Sequence, residues 1–325
     1  MDEQSIVKLY EIAVAETGFI EDKNNPGWMP KLGPDDYRSV IRHGTYKNTP
    51  AVIEVSPTED LEKIAEDFKK YQEGSKNKKA VRVSAILAQG KIQGGQYLIR
   101  SSADSGKPQG VRIVKNWPLA TDTEIKEVAQ LYWVTVTSFP TIEVKEWSIS
   151  DYFIRRLNMA LTKAREYKID PLKYMSHAEK DALVEFIFTH AKILKVEAFF
   201  DHFSNTDLVK YEDEYYAWGS SIVPKPETAG IAYWLWDAMM YASNLDPEEW
   251  MTEYNNWIKA FTDSAPDDRK KDLELKIKLN IAERVASTLL IDFPLKRSPF
   301  DQYSDKEIER TRLVFRRMFE EILEK

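Results

Sequence analysis

Cysteine is absent from all 325 residues, which excludes disulfide staples, thiolate zinc sites and a cysteine nucleophile together. Histidine is scarce. His43, His177, His190 and His202 are scattered, and no pair has the spacing of a zinc motif such as H-E-x-x-H, so a metal held by histidines is not expected. No apolar stretch reaches the length needed to span a bilayer. The opening "MDEQSIVKLYEIAVAET" is acidic and amphipathic, unlike a signal or transit peptide. A cytoplasmic protein with no membrane partner is the expectation. There is no basic stripe either: 46 Lys and Arg are interleaved with 53 Asp and Glu, for a net charge of −7, so nucleic acid is not an expected partner. Only 12 Gly and 15 Pro argue against disordered and fibrous classes.

What the chain has in quantity is core-forming side chains. Hydrophobic residues make up 43%, with 9 Trp, 16 Tyr and 14 Phe, enough for two lobes, each with its own core. Ile6, Leu9, Tyr10, Ala13 and Val14 recur at helical spacing in Ser5 to Thr17. From Tyr37 the pattern becomes strand-like: "YRSVIRH", a "GTYKNTP" turn, then "AVIEV", a hairpin. "SPTEDLEKIAEDFKKYQ" follows, with Ser56 as N-cap, Pro57 at the first helical position and Glu59 completing a capping box. Two more strands, "VRVSAILAQ" and "GQYLIRS", flank a "GKIQG" turn, and the polar run Ser101 to Gly110 reads as a hinge.

Beyond the hinge the pattern is helical, with capping signals at Ser176, at Asp246 with Glu249, and at Ser304 with Glu307. It is interrupted by a β island near 197–225 that contains a hairpin around "KYEDEYYAWG". The order predicts an α+β chain: a small β-rich N-lobe with one main helix over 1–104, then a larger, mostly helical C-lobe over 105–325 that includes the island.

That order, together with "FDHFSNTDLVKYEDEYYAWGSS" at Phe200 to Ser221, resembles the two-lobed protein-kinase fold, in its aminoglycoside phosphotransferase and choline-kinase branch. The resemblance covers roughly Tyr37 to Tyr241. It implies a phosphate-pairing lysine at the end of a strand, a glutamate on the next helix, an H-G-D-x-x-x-x-N loop, and a magnesium-holding aspartate after a hairpin. Carried over, the lysine position falls on Glu54 and the helix glutamate on Glu66, with Glu62 the other choice. The catalytic aspartate position falls on His202, the metal-binding asparagine on Asp207, and the magnesium aspartate on Gly219.

The departures bear on chemistry. A glutamate facing a nucleotide would add repulsion of roughly 3 kcal/mol per phosphate charge at ~5 Å and an effective dielectric near ~20. Glu54 must therefore point outward, as a solvated strand residue, or find an Arg or Lys elsewhere. Gly219 offers no side-chain ligand, which leaves Asp207 as the single carboxylate for a metal. Plainer readings are a hydrogen-bonded loop histidine for His202, a turn residue for Asp207 and core for Trp234, Trp236, Met239 and Met240. The reading that follows is a catalytically degenerate, pseudokinase-like protein with no expected cofactor, binding a partner protein or a small ligand in the inter-lobe cleft. The alternative is an active phosphotransferase using ATP and magnesium, with His202 as base, Asp207 on the metal, and Lys47 or Lys210 supplying charge. A third reading is a helical ligand-binding protein with a β subdomain.

Overall fold

A computed structural model describes residues 1–25, 27–33, 36–74, 77, 79–102, 111–138, 149–200, 203–211, 213–217, 222–241, 245–295 and 303–323. In chain order the elements are α1 (Glu3–Thr17), β1 (Ile20–Glu21), β2 (Lys31–Gly33), β3 (Asp36–Tyr37), β4 (Val40–Tyr46), β5 (Thr49–Ser56), α2 (Leu61–Gly74), β6 (Val81–Val83), β7 (Ile86–Ile92), β8 (Gly95–Ser101) and β9 (Val111–Arg112). There follow α3 (Asp122–Ser138), α4 (Ile149–Glu166), α5 (His177–His190), β10 (Val196–Phe200), β11 (Leu208–Tyr211), β12 (Glu214–Ala217), β13 (Ile222–Pro226), α6 (Ala229–Tyr241), α7 (Pro247–Asp263), α8 (Leu273–Ser287) and α9 (Asp305–Leu323). They form two compact units, one of residues 1–111 with 208–222, the other of 112–207 with 223–325.

The first unit is built on a sheet ordered β1-β4-β5-β8-β7. Lys47 and Asn48 both take positive φ, 50° and 65°, the two-residue geometry that matches strand twist. The strands therefore run to the tip of the "GTYKNTP" stretch and the turn shrinks to two residues. One face of the sheet packs Ala51, Ile53, Val55 and Ile99 against Ile6, Leu9 and Ala13 of α1. The other carries Leu98 against Leu61 and Ala65 of α2. With both faces covered, β5 reads as one buried run rather than an alternating strand.

Three sequence expectations change here. Helix α2 starts at Leu61, with the Asp60 carboxylate accepting from the Lys63 N–H, 3.0 Å. Ser56 instead closes a turn by accepting from the Thr58 and Glu59 N–H groups, and Glu59 pairs with Arg38. The stretch "VRVSAILAQ" divides: β7 stays in the main sheet, while β6 pairs in parallel with β12, Tyr215 opposite Val81. That pairing groups the hairpin β11–β12 with the first unit, whereas the sequence reading assigns the whole island to the helical lobe. The hinge stretch from residue 103 to 110 lies outside the described residues.

The second unit is helical around an aromatic core. Trp234 contacts Trp117, Trp257 and Phe203 with ring centroids 5.0, 5.4 and 5.6 Å apart, in tilted and edge-on geometries. Trp234, Trp236, Met239 and Met240 of "IAYWLWDAMM" are core, as their spacing predicts. Capping boxes at Ser176 with Glu179, Asp246 with Glu249 and Ser304 with Glu307 start α5, α7 and α9 as expected.

Candidate functional site

In the first unit, Glu54 lies on the α2-facing side of β5, directly opposite Leu98 of β8. It is not a solvated strand residue: it is 7% exposed. Two residues along β8 on the same face is Arg100, 3% exposed, which donates from Nη2 to Glu54 Oε2 at 3.3 Å. Phe68 of α2 covers the guanidinium, 5.3 Å from ring centroid to Cζ, and Arg100 Nε is buried without a hydrogen-bond partner. Burial pulls the guanidinium below its ordinary pKa while Glu54 pulls it back up. Of the two geometries open to Glu54, the buried pair with an arginine is the one adopted.

Glu66 does not join this pair. It faces solvent on α2, and Glu62 makes an exposed pair with Lys91 at 3.1 Å. The structure thus brings Glu54 together with Arg100, and no Glu54–Glu66 contact arises. Lys47, in the β4–β5 turn, rests on the Tyr46 ring, and Lys210 on the Tyr215 ring.

In the second unit the loop after β10 is locked from below. Phe203 inserts into the aromatic core, and Asn205, fully buried, accepts from Val114 N–H at 2.9 Å and donates to Val114 C=O at 3.0 Å. Ser204 Oγ donates to Asp207 Oδ2 at 2.8 Å and accepts from the Asp207 N–H at 3.1 Å, the hydrogen bonds of a turn residue. Thr206 Oγ1 donates to Asp237 Oδ1 at 3.1 Å. His202 and Gly219 lie outside the described residues.

Asp237 was not singled out by its sequence context. It is 3% exposed, its Oδ2 is buried without a hydrogen-bond partner, and burial, then repulsion from Asp207, pushes its carboxyl up to about 7. Burial and the Asp237 charge likewise push the Tyr241 hydroxyl up to about 12. The available signal was a lone acid inside the apolar run of α6. For Arg100 it was strand parity, two residues from the partner of Glu54.

Chemically, Glu54 is neutralised inside its own unit and offers no positive charge to a phosphate. Asp207 already accepts a hydroxyl, and among the described residues no three His, Asp or Glu side chains converge to hold a metal ion.

Neither a family model nor a curated protein matches the chain. Solved structures do. The crystal structure of aminoglycoside phosphotransferase APH(4)-Ia aligns at a TM-score of 0.53 with 10% identity over 98% of each chain. Spectinomycin phosphotransferase APH(9)-Ia, in complex with ADP and spectinomycin, aligns at 0.53 with 9% identity over 98% of each chain. Aminoglycoside phosphotransferase APH(3'')-Id from Streptomyces rimosus aligns at 0.50 with 10% identity, covering 86% of this chain and 99% of that one. The chain has the two-lobed α+β fold of the kinase-like phosphotransferases, which removes the reading as a helical protein with an appended β subdomain. Fold at this identity does not carry activity, which the side chains at the site decide.

Proposed function

We propose that the chain is a catalytically degenerate phosphotransferase-fold protein, a pseudokinase that acts by binding a partner protein or a small ligand rather than by transferring phosphate from ATP. One observation carries the reading: the position that matches the phosphate-pairing lysine is Glu54, and its carboxylate is buried against Arg100. Rotating the glutamate away to admit a lysine-like contact would strand the arginine, and leaving it in place supplies a phosphate chain with nothing to pair with. The state of Asp207 supports the same reading, since its carboxylate accepts from Ser204 and, among the described residues, no three acids or histidines gather around a metal position.

Thermal melting of the purified chain, alone and with ATP plus magnesium, tests this. A ligand that binds the folded state raises the melting temperature. No shift with the nucleotide, with or without magnesium, is the expected result. A shift of several degrees that needs both ATP and magnesium would support an active phosphotransferase using His202 and Asp207 instead.

A further inference from the structure

Helices α4 and α5 of the second unit each present a stripe of side chains to solvent. On α4, Ile154, Asn158, Leu161 and Arg165 recur at i, i+4, i+7 and i+11 and so share one side of the helix. Ile154 is 40% exposed and Leu161 half-buried. Arg165 is exposed with no carboxylate at ion-pair distance among the described residues, since its neighbour Glu166 pairs with Lys163 at 3.0 Å. On α5, Asp181, Glu185 and Phe188 recur at i, i+4 and i+7. Phe188 is 37% exposed. Asp181 is taken by Lys180 at 3.0 Å, whereas Glu185 has no basic partner among the described residues.

Between the two helices runs a shallow groove lined by Phe153, Leu157, Leu183, Val184, Ile187 and Phe188. The polar groups at its floor are satisfied, because Arg156 Nε and Ser287 Oγ both donate to Glu283 Oε1, at 2.9 and 2.7 Å. Its enclosed part measures only about 30 Å³, too little for a ligand of its own. What the groove adds is apolar surface beside Ile154 and Phe188, and such surface leaves water only when another surface covers it.

The two stripes complement each other. Followed towards the C-terminus, the α4 stripe passes from apolar to basic and the α5 stripe from acidic to aromatic. Laid antiparallel, they set Leu161 by Phe188 and Arg165 by Glu185, four residues or ~6 Å on one helix against three residues or ~4.5 Å on the other. Within one chain Arg165 and Glu185 do not pair. A surface that carries both halves of a match is self-complementary, and a two-fold axis then makes each contact twice.

We propose that the α4–α5 face pairs two copies of this chain about a two-fold axis, with Leu161 and Phe188 at its centre and Arg165–Glu185 pairs at its rim. Two helices of this length offer roughly 400 Å² per copy, which sets the pairing in the weak, micromolar range. It rests on the second unit alone and stands whether or not the chain binds ATP.

Sedimentation velocity of the full chain between about 1 and 200 μM tests the pairing. A monomer–dimer equilibrium is expected. Phe188→Ser should weaken it by about tenfold or more, the scale of a lost aromatic anchor. Arg165→Glu and Glu185→Arg each set like charges together and should weaken it several-fold. The double variant should restore it, because each exchanged residue again meets its opposite on the second copy. If Phe188→Ser does not fold, the charge exchange, made on exposed side chains, decides. A chain that stays monomeric throughout overturns the proposal, the outcome to expect if this face serves a different protein. So does a dimer that Phe188→Ser leaves intact, or one that the double variant fails to restore.

Discussion

Replacing Glu54 by Leu leaves Arg100 charged in a space where it is 3% exposed. At the observed 3.3 Å and an effective dielectric of about 20, the pair's attraction is about 5 kcal/mol. Set against the relief of not burying a carboxylate, the loss should appear as about 3 to 5 kcal/mol of stability, the range for breaking a buried pair from one side. Arg100→Met should cost about as much, because it strands the Glu54 carboxylate instead. The double variant Glu54→Leu with Arg100→Met puts apolar groups of similar volume between β5, β8 and Phe68, and should fall within about 1 kcal/mol of the parent. Urea denaturation of the four proteins, followed by far-ultraviolet circular dichroism, reads the cycle. Strong non-additivity is the expected result. Single variants that each cost under about 1 kcal/mol, or a double variant that costs their sum, would refute a buried, mutually dependent pair.

Asp237 supplies a pH prediction whose sign can be worked out. Its carboxyl, ordinarily at 3.8, stands at about 7 in the folded chain, so between those values the native state holds a proton that the unfolded chain has released, and stability falls as pH rises through that window. Asp237→Asn, a mimic of the protonated acid, should be more stable than the parent by about 4 kcal/mol at pH 8 but by only about 2 kcal/mol at pH 5, as denaturation at the two values would record. An equal difference at both would contradict the burial of an ionised carboxylate. Asn205→Ala removes both hydrogen bonds to Val114 and leaves a buried backbone N–H and C=O unpaired, a loss of about 2 to 4 kcal/mol. Its chemical denaturation midpoint should drop accordingly, and an unchanged midpoint would show that the loop does not depend on this clamp.

Local signals were legible in the sequence because they are written within a few residues. The boxes at Ser176, Asp246 and Ser304 need only a side chain and a backbone N–H two or three positions apart. The aromatic core of α6 likewise follows from spacing and composition. At Ser56 the same signal misleads, since Asp60 lies closer to the apolar run and takes the cap, leaving Ser56 to a turn. Long-range facts were less accessible. Whether Glu54 is solvated depends on whether α1 and α2 cover both faces of the sheet, and its partner Arg100 is 46 residues away along the chain. The parallel pairing of β6 with β12 joins residues near 82 and 216, which no local period encodes. Asp237 carries its meaning only once Thr206 and Asp207 are packed against it.

The central claim is that a glutamate locked to Arg100 leaves the fold without a charge to hold a triphosphate. Isothermal titration of the purified chain with ATP and magnesium up to millimolar concentration addresses it most directly. No saturable heat of binding, in the parent or in the Glu54→Leu, Arg100→Met double variant, is the predicted result. Saturable, magnesium-dependent binding of ATP by the parent chain would contradict it.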